Sequence, residues 1–133
     1  MNFNNICKTH HVNGYNCGVL IIPSFSTATL SFTSEAAYEN IILVSKFSNG
    51  DVIHEANNKR PNGLQKITIK NCSSVPKYYL ITSFHRVSMN TNFIENNIKS
   101  NVINEKNYSY NFEDGTDNDF NDITVTIKLQ AIN

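Results

Sequence analysis

Along this chain, apolar and polar residues alternate with a period of two in most places where any period exists. Ala28, Leu30 and Phe32 alternate with Thr29, Ser31 and Thr33, and Ile67 and Ile69 alternate with Lys66, Thr68 and Lys70. A period of two sends one set to each side of an extended chain, so both stretches predict half-buried strands. Near the end, Tyr108, Tyr110 and Phe112 alternate with Ser109 and Asn111, and Ile123, Val125, Ile127 and Leu129 alternate with Thr124, Thr126 and Lys128. The run from Asn40 to Phe47, NIILVSKF, is apolar without alternation and stops at the turn signal SNGD, which predicts a deeply buried strand entering a hairpin.

From Lys77 to Val87, the pattern places Tyr78, Leu80, Thr82 and Phe84 on one face, and Tyr78, Tyr79 and Phe84 are expected in the core. Pro23, Pro61 and Pro76 fall at the ends of runs, where a strand can spare an amide donor. Phe93, Ile94, Ile98 and Val102 fit a helical turn or two, although the many asparagines around them oppose a long helix. The pattern predicts a single all-β domain. An antiparallel β-sandwich of about eight to nine strands suits it better than a barrel.

A chain of 133 residues can bury a sizeable core without metal or disulfide staples. Its formal net charge is zero and its lysines and arginines are scattered, which argues against a nucleic-acid partner or an anionic membrane surface. The three cysteines, Cys7, Cys17 and Cys72, allow at most one internal bridge and do not form a secreted disulfide framework. No basic segment followed by an apolar core opens the chain, and GVLII is too short to span a bilayer, so membrane insertion is not expected. The expectation is a soluble cytoplasmic protein, or one exported without a classical signal.

Charge becomes informative only locally. EDGTDNDFND, from Glu113 to Asp122, holds five of the eleven acidic residues. Two unit charges ~4 Å apart repel by roughly 4 kcal/mol at an effective dielectric near 20, and a loop tied at both ends by strands cannot spread them freely. Full solvation, partial protonation or a bound cation would each relieve the crowding. Solvation is the commonest state of acid-rich loops. This loop, however, offers only hard oxygen donors around Gly115, with no nearby cysteine or histidine, and that donor set suits calcium. It is not an EF-hand. Counting from Asp117 places Asp119 and Asn121 at the third and fifth positions, but Asp122 stands where glycine is needed and Lys128 where glutamate is needed.

EDGTDNDFND followed by an alternating terminal strand resembles the C-terminal calcium loop of the two-calcium bacterial lectins of the LecB type, which bind fucose and mannose. The stretch GVLIIPSFSTATLSFTSEAAYENIILV is similar to the first strands of that family, with Gly18, Val19 and Pro23 in matching places. On this resemblance residues 18–133 form the lectin domain and residues 1–17 an N-terminal extension.

Carried over position by position, the resemblance implies that Glu113, Asp117, Asp119 and Asp122 bind a first calcium. Asp119, Asn121 and Asp122 would bind a second, with Asp119 and Asp122 bridging the two. Two adjacent sugar hydroxyls would coordinate the ions while donating to Asp114, Asp117, Asp119, Asn121 and Asp122. Glu35 stands where family members carry an asparagine that helps to hold the second ion; its main-chain carbonyl would serve there, and its carboxylate would add a charge. The triplet Ala36, Ala37 and Tyr38 occupies the sugar-contact loop, and its alanines resemble the variants that favour mannose-type sugars. Family members end in a glycine whose carboxylate reaches the calcium of a partner subunit; here the end comes one residue later, at Asn133, so either its terminus shifts slightly to serve in trans or Ile132 offers only a peptide carbonyl. A homodimer or homotetramer displaying several sites to cell-surface glycans is the expected form.

Other candidates carry less. Cys7, His10, His11 and Cys17 lack the usual zinc-ligand spacing. His54 and His85 read as surface or satisfied core residues. The sequons at Asn71 and Asn107 matter only on a secretory route. The paired carboxylates sit on one loop without a distant partner, and no nucleophile elbow or phosphate loop is present, so an enzyme is not expected. The alternative to a lectin is a structural or adhesion β-sandwich whose acidic loop binds calcium only for stability.

Overall fold

The computed structural model describes residues 9–12, 15–114 and 122–132. Among these, all regular structure is strand: β1 (Thr9–Val12), β2 (Tyr15–Ile22), β3 (Ser26–Ser34), β4 (Glu39–Lys46), β5 (Val52–Asn57), β6 (Ile67–Asn71), β7 (Lys77–Arg86), β8 (Ile94–Glu95), β9 (Asn97–Asn104), β10 (Asn107–Glu113) and β11 (Ile123–Ala131). The eleven strands form two antiparallel sheets, one ordered β1-β2-β7-β4-β5 with β8 also on β7, the other β6-β3-β11-β10-β9. The expected all-β sandwich is therefore the fold. The surplus over eight or nine strands is short, comprising the four-residue β1 and the two-residue β8.

Alternation sets the inner faces. Ala28, Leu30 and Phe32 of β3, Tyr108, Tyr110 and Phe112 of β10, and Ile123, Val125 and Ile127 of β11 are buried, as their spacing predicts. Leu20, Ile22, Ile42, Val44 and Ile81 meet them from the other sheet. Each of these large side chains contributes about 1.5–3 kcal/mol when fully buried. The SNGD signal does close a hairpin: Gly50 takes φ 78°, and its amide bonds to the Lys46 carbonyl at 2.9 Å.

Two expectations are corrected. The stretch from Phe93 to Val102 holds no helix; it forms β8 and β9, and β9 pairs along β10 from Asn97↔Glu113 to Asn104↔Asn107. A long partner strand supplies the backbone bonds that a helix would otherwise supply, and Ile98 packs on the core while Val102 and Ile103 stay exposed. In β7 the buried face is Tyr79, Ile81, Ser83 and His85, so Tyr78 lies on the outer face and is 48% exposed, with Phe84 half-buried there. The inward positions are partly polar because Ser83 and His85 both bond to Asn96, and Ser83 also to the Ile41 carbonyl of β4, so hydrophobicity does not mark that face.

β2 begins at Tyr15, runs through position 17 without a break and carries the fully buried Cys17. Cys72 is an exposed free thiol. Asn71, the first sequon residue, is fully buried, and its amide donates to the carbonyls of Ile22, Pro23 and Val75 at 2.8–3.0 Å. No helix among the described residues is long and apolar enough to cross a membrane.

Candidate metal and ligand site

Antiparallel order brings several strand ends to one pole. There β10 ends at Glu113 beside the start of β11, β3 ends at Ser34 opposite Ile123, and β4 begins opposite the end of β7. The carboxylates of Glu113, Asp114 and Asp122 converge at this pole, with one oxygen of each lying within 4.8 Å of the others. Glu113 and Asp122 are buried, and Asp114 is half-buried. Burial pushes the Asp122 carboxyl above its ordinary range, helped by the neighbouring charge of Asp114; a hydrogen bond with Glu113 and the Asp114 amide at 2.9 Å pull the other way.

Buried carboxylates this close need a proton or a cation between them. Their donors are all hard oxygens at separations a single ion can bridge, and the set contains no nitrogen or sulfur ligand, a donor chemistry that suits a hard cation such as calcium better than zinc. The ion pairs shown among the described residues, Arg86 with Glu39 at 2.7 Å and Arg60 with Glu55 at 2.9 Å, use other carboxylates. Glu39 also accepts from Asn57 at 2.7 Å, and that bond, followed by the one from Arg86, holds its carboxyl below the ordinary range.

Behind the acidic cluster lies a buried amide network. Asn40 Nδ2 donates to Asp114 Oδ2 at 2.9 Å and to the Tyr38 carbonyl at 3.2 Å. Asn96 Nδ2 donates to Asn40 Oδ1 at 2.9 Å and to Ser83 Oγ at 2.7 Å, and Asn96 Oδ1 meets His85 Nδ1 at 2.6 Å. Ser83 Oγ in turn donates to the Ile41 carbonyl at 2.7 Å. Asn40, Asn96, Ser83 and His85 are all buried, so the chain of bonds is shielded from water and fixes the Asp114 carboxylate.

The loop of residues 35–38 is tied to the same pole. Ser34 Oγ donates to the Asp122 carbonyl at 2.5 Å and accepts from the Ala36 amide at 3.2 Å. Asn58 Nδ2 donates to Ser34 Oγ at 3.2 Å and to the Tyr38 carbonyl at 2.9 Å, and its Oδ1 accepts from the Asn40 amide at 2.8 Å. Glu35 and Ala37 are exposed and Ala36 is half-buried.

Of the residues singled out in the sequence, Glu113, Asp114 and Asp122 are brought together, and Glu35, Ala36 and Ala37 stand on the adjoining loop. Asp117, Asp119, Asn121 and Asn133 lie outside the described residues. His85 is the satisfied core histidine expected; His54 stacks on Phe32 at 5.5 Å, and its Nε2 is buried with no hydrogen-bond partner among the described residues. Sequence reasoning missed Ser34, Asn40, Asn58 and Asn96. Their nearest signal was the polar residue Asn40 heading an apolar run.

No protein-family model matches this chain, and no curated protein matches it in sequence. Solved structures do match its fold. The C-terminal domain of the BC2L-C lectin from Burkholderia cenocepacia superposes with a TM-score of 0.60 at 15% identity, covering 88% of this chain and 97% of that one. A high-affinity mannose-binding lectin from Ralstonia solanacearum gives 0.57 at 19% identity, covering 86% and 96%. The Chromobacterium violaceum lectin CV2L, solved in complex with alpha-methyl-fucoside, gives 0.59 at 15% identity, also covering 86% and 96%. At these identities the likeness is one of fold: the chain has the β-sandwich fold of bacterial lectins.

Proposed function

We propose that this protein is a calcium-dependent carbohydrate-binding lectin for mannose- or fucose-type glycans, and not an enzyme. The observation that carries the reading is the convergence of Glu113, Asp114 and Asp122 within 4.8 Å at one pole of a lectin-like sandwich. Calcium accepts six to eight oxygens at flexible angles, so sugar hydroxyls can complete its shell while donating to adjacent carboxylates. Glu113 and Asp122 serve as metal ligands in this account, and Asp114, oriented by Asn40, accepts a hydroxyl hydrogen.

The resemblance of the loop sequence extends the proposal to two ions, with Asp117, Asp119 and Asn121 as further ligands and Glu35 beside the second. Ala36 and Ala37 would line the sugar-contact loop, and Asn133 would reach a partner's calcium within a homodimer or homotetramer. Assembly would raise the effective concentration of individually weak sites.

A glycan array read with calcium and again with chelator tests the proposal. Mannose- or fucose-type glycans are expected to bind with calcium and be lost with chelator. Binding that survives chelation contradicts the mechanism. Protein that calcium stabilises but that holds no glycan would be a structural module.

A further inference from the structure

The structure carries an aromatic surface at the rim of this pole that the calcium account leaves unused. Tyr38 is 45% exposed, although a tyrosine ring gains by burial. One face of its ring stacks on His85, with centroids 6.4 Å apart and planes inclined by 21°. His85 itself is buried and locked by its 2.6 Å bond to Asn96. The Tyr38 carbonyl is held by two buried or half-buried amides, Asn40 Nδ2 at 3.2 Å and Asn58 Nδ2 at 2.9 Å. Asn40 Nδ2 also holds Asp114, so the aromatic residue and the acidic cluster share one anchoring atom.

We propose that Tyr38 is the floor of a second saccharide subsite, which stacks the pyranose ring linked to the one bound at the acidic cluster. The inference rests on the lectin reading above and narrows its ligand class from single sugars to oligosaccharides. The C–H groups on one face of a pyranose carry slight positive charge and little hydration, and they complement the negative face of an aromatic ring. A tyrosine already fixed from behind by His85 and at its backbone by two amides loses little freedom on binding, so the stacking energy is retained as affinity. The loop that carries Tyr38 also carries the small residues Ala36 and Ala37.

The test compares methyl α-mannoside with a mannotriose, and methyl α-fucoside with a fucosylated trisaccharide, by calorimetric titration into the calcium-loaded full chain. Wild-type protein is expected to prefer the oligosaccharide of at least one pair by roughly three- to tenfold. Tyr38→Ala should erase that preference by lowering oligosaccharide affinity roughly three- to tenfold more than monosaccharide affinity, and Tyr38→Phe should retain it. An oligosaccharide preference that persists in Tyr38→Ala overturns the subsite, as does equal binding of both sizes by wild type. Equal loss of monosaccharide and oligosaccharide affinity in Tyr38→Ala makes the residue a structural prop and overturns it too. If neither size binds to calcium-loaded wild type, the lectin reading itself fails along with the subsite.

Discussion

Asn40 lies in one sheet and Asp114 just past a strand of the other, and the amide nitrogen of the first lies 2.9 Å from Oδ2 of the second. Asn40 is fully buried at the start of β4, whereas Asp114 directly follows β10. The bond therefore fastens a carboxylate of the acidic pole to the facing sheet, and through Asn96 to Ser83 and His85.

Replacing Asn40 with alanine strips a bond from the half-buried Asp114 and another from the buried Asn96. Leaving such groups unpaired costs about 1–3 kcal/mol of stability, read from urea unfolding. Sugar affinity of the calcium-loaded protein should fall roughly tenfold in a calorimetric titration, because the bond that orients the Asp114 acceptor is lost. An unchanged sugar affinity would detach the network from the site.

Calcium itself should stabilise the fold. At a hundredfold excess over its dissociation constant, each bound ion adds about 2.7 kcal/mol, seen as a higher melting temperature that chelator reverses. Magnesium at the same concentration should do far less, because it demands six short, near-octahedral bonds. Equal effects of the two cations would indicate general screening of the acidic pole.

Asp119→Ala should abolish calcium and sugar binding together, because the loop resemblance makes Asp119 the bridge between both ions. Binding of sugar by that variant would relocate the site.

Away from the metal, Gly18 faces the ring of Tyr110. A methyl group there would stand 2.6 Å from the ring carbons, and the ring cannot swing aside because its hydroxyl donates to the Val19 carbonyl at 2.6 Å. Gly18→Ala should cost about 1–3 kcal/mol by denaturant unfolding, with calcium affinity little changed.

Glu39 gives the fold an acid dependence of known sign. Its carboxyl is held below the ordinary 4.5 by the bonds from Asn57 and Arg86, so the stabilisation it supplies is present above that value. The advantage of wild type over Glu39→Gln in thermal unfolding should shrink as pH falls below 4.5 through the lowered folded-state value. A gap that widens on acidification would reverse the assignment.

The fold was legible where burial follows hydrophobicity. Tyr108, Tyr110, Phe112, Ile123, Val125 and Ile127 are apolar at every second position, and all are buried. It was illegible in β7, where Ser83 and His85 point inward because Asn96 and the Ile41 carbonyl await them. The acidic residues of the site stood out as a charge cluster. Their supports did not, because Asn40, Asn58 and Asn96 are three among many asparagines, and only pairing across strands 56 positions apart distinguishes Asn96 beside Asn40. Tyr38 was visible in the sugar-contact triplet, but its backing by His85 depends on the register of β4 against β7.

The most direct measurement is a calorimetric titration of methyl α-mannoside and methyl α-fucoside into the protein, first loaded with calcium and then stripped by chelator. The account predicts saturable heat for at least one sugar in the loaded protein and none after stripping. Equal binding in both states, or no binding in either, would contradict it.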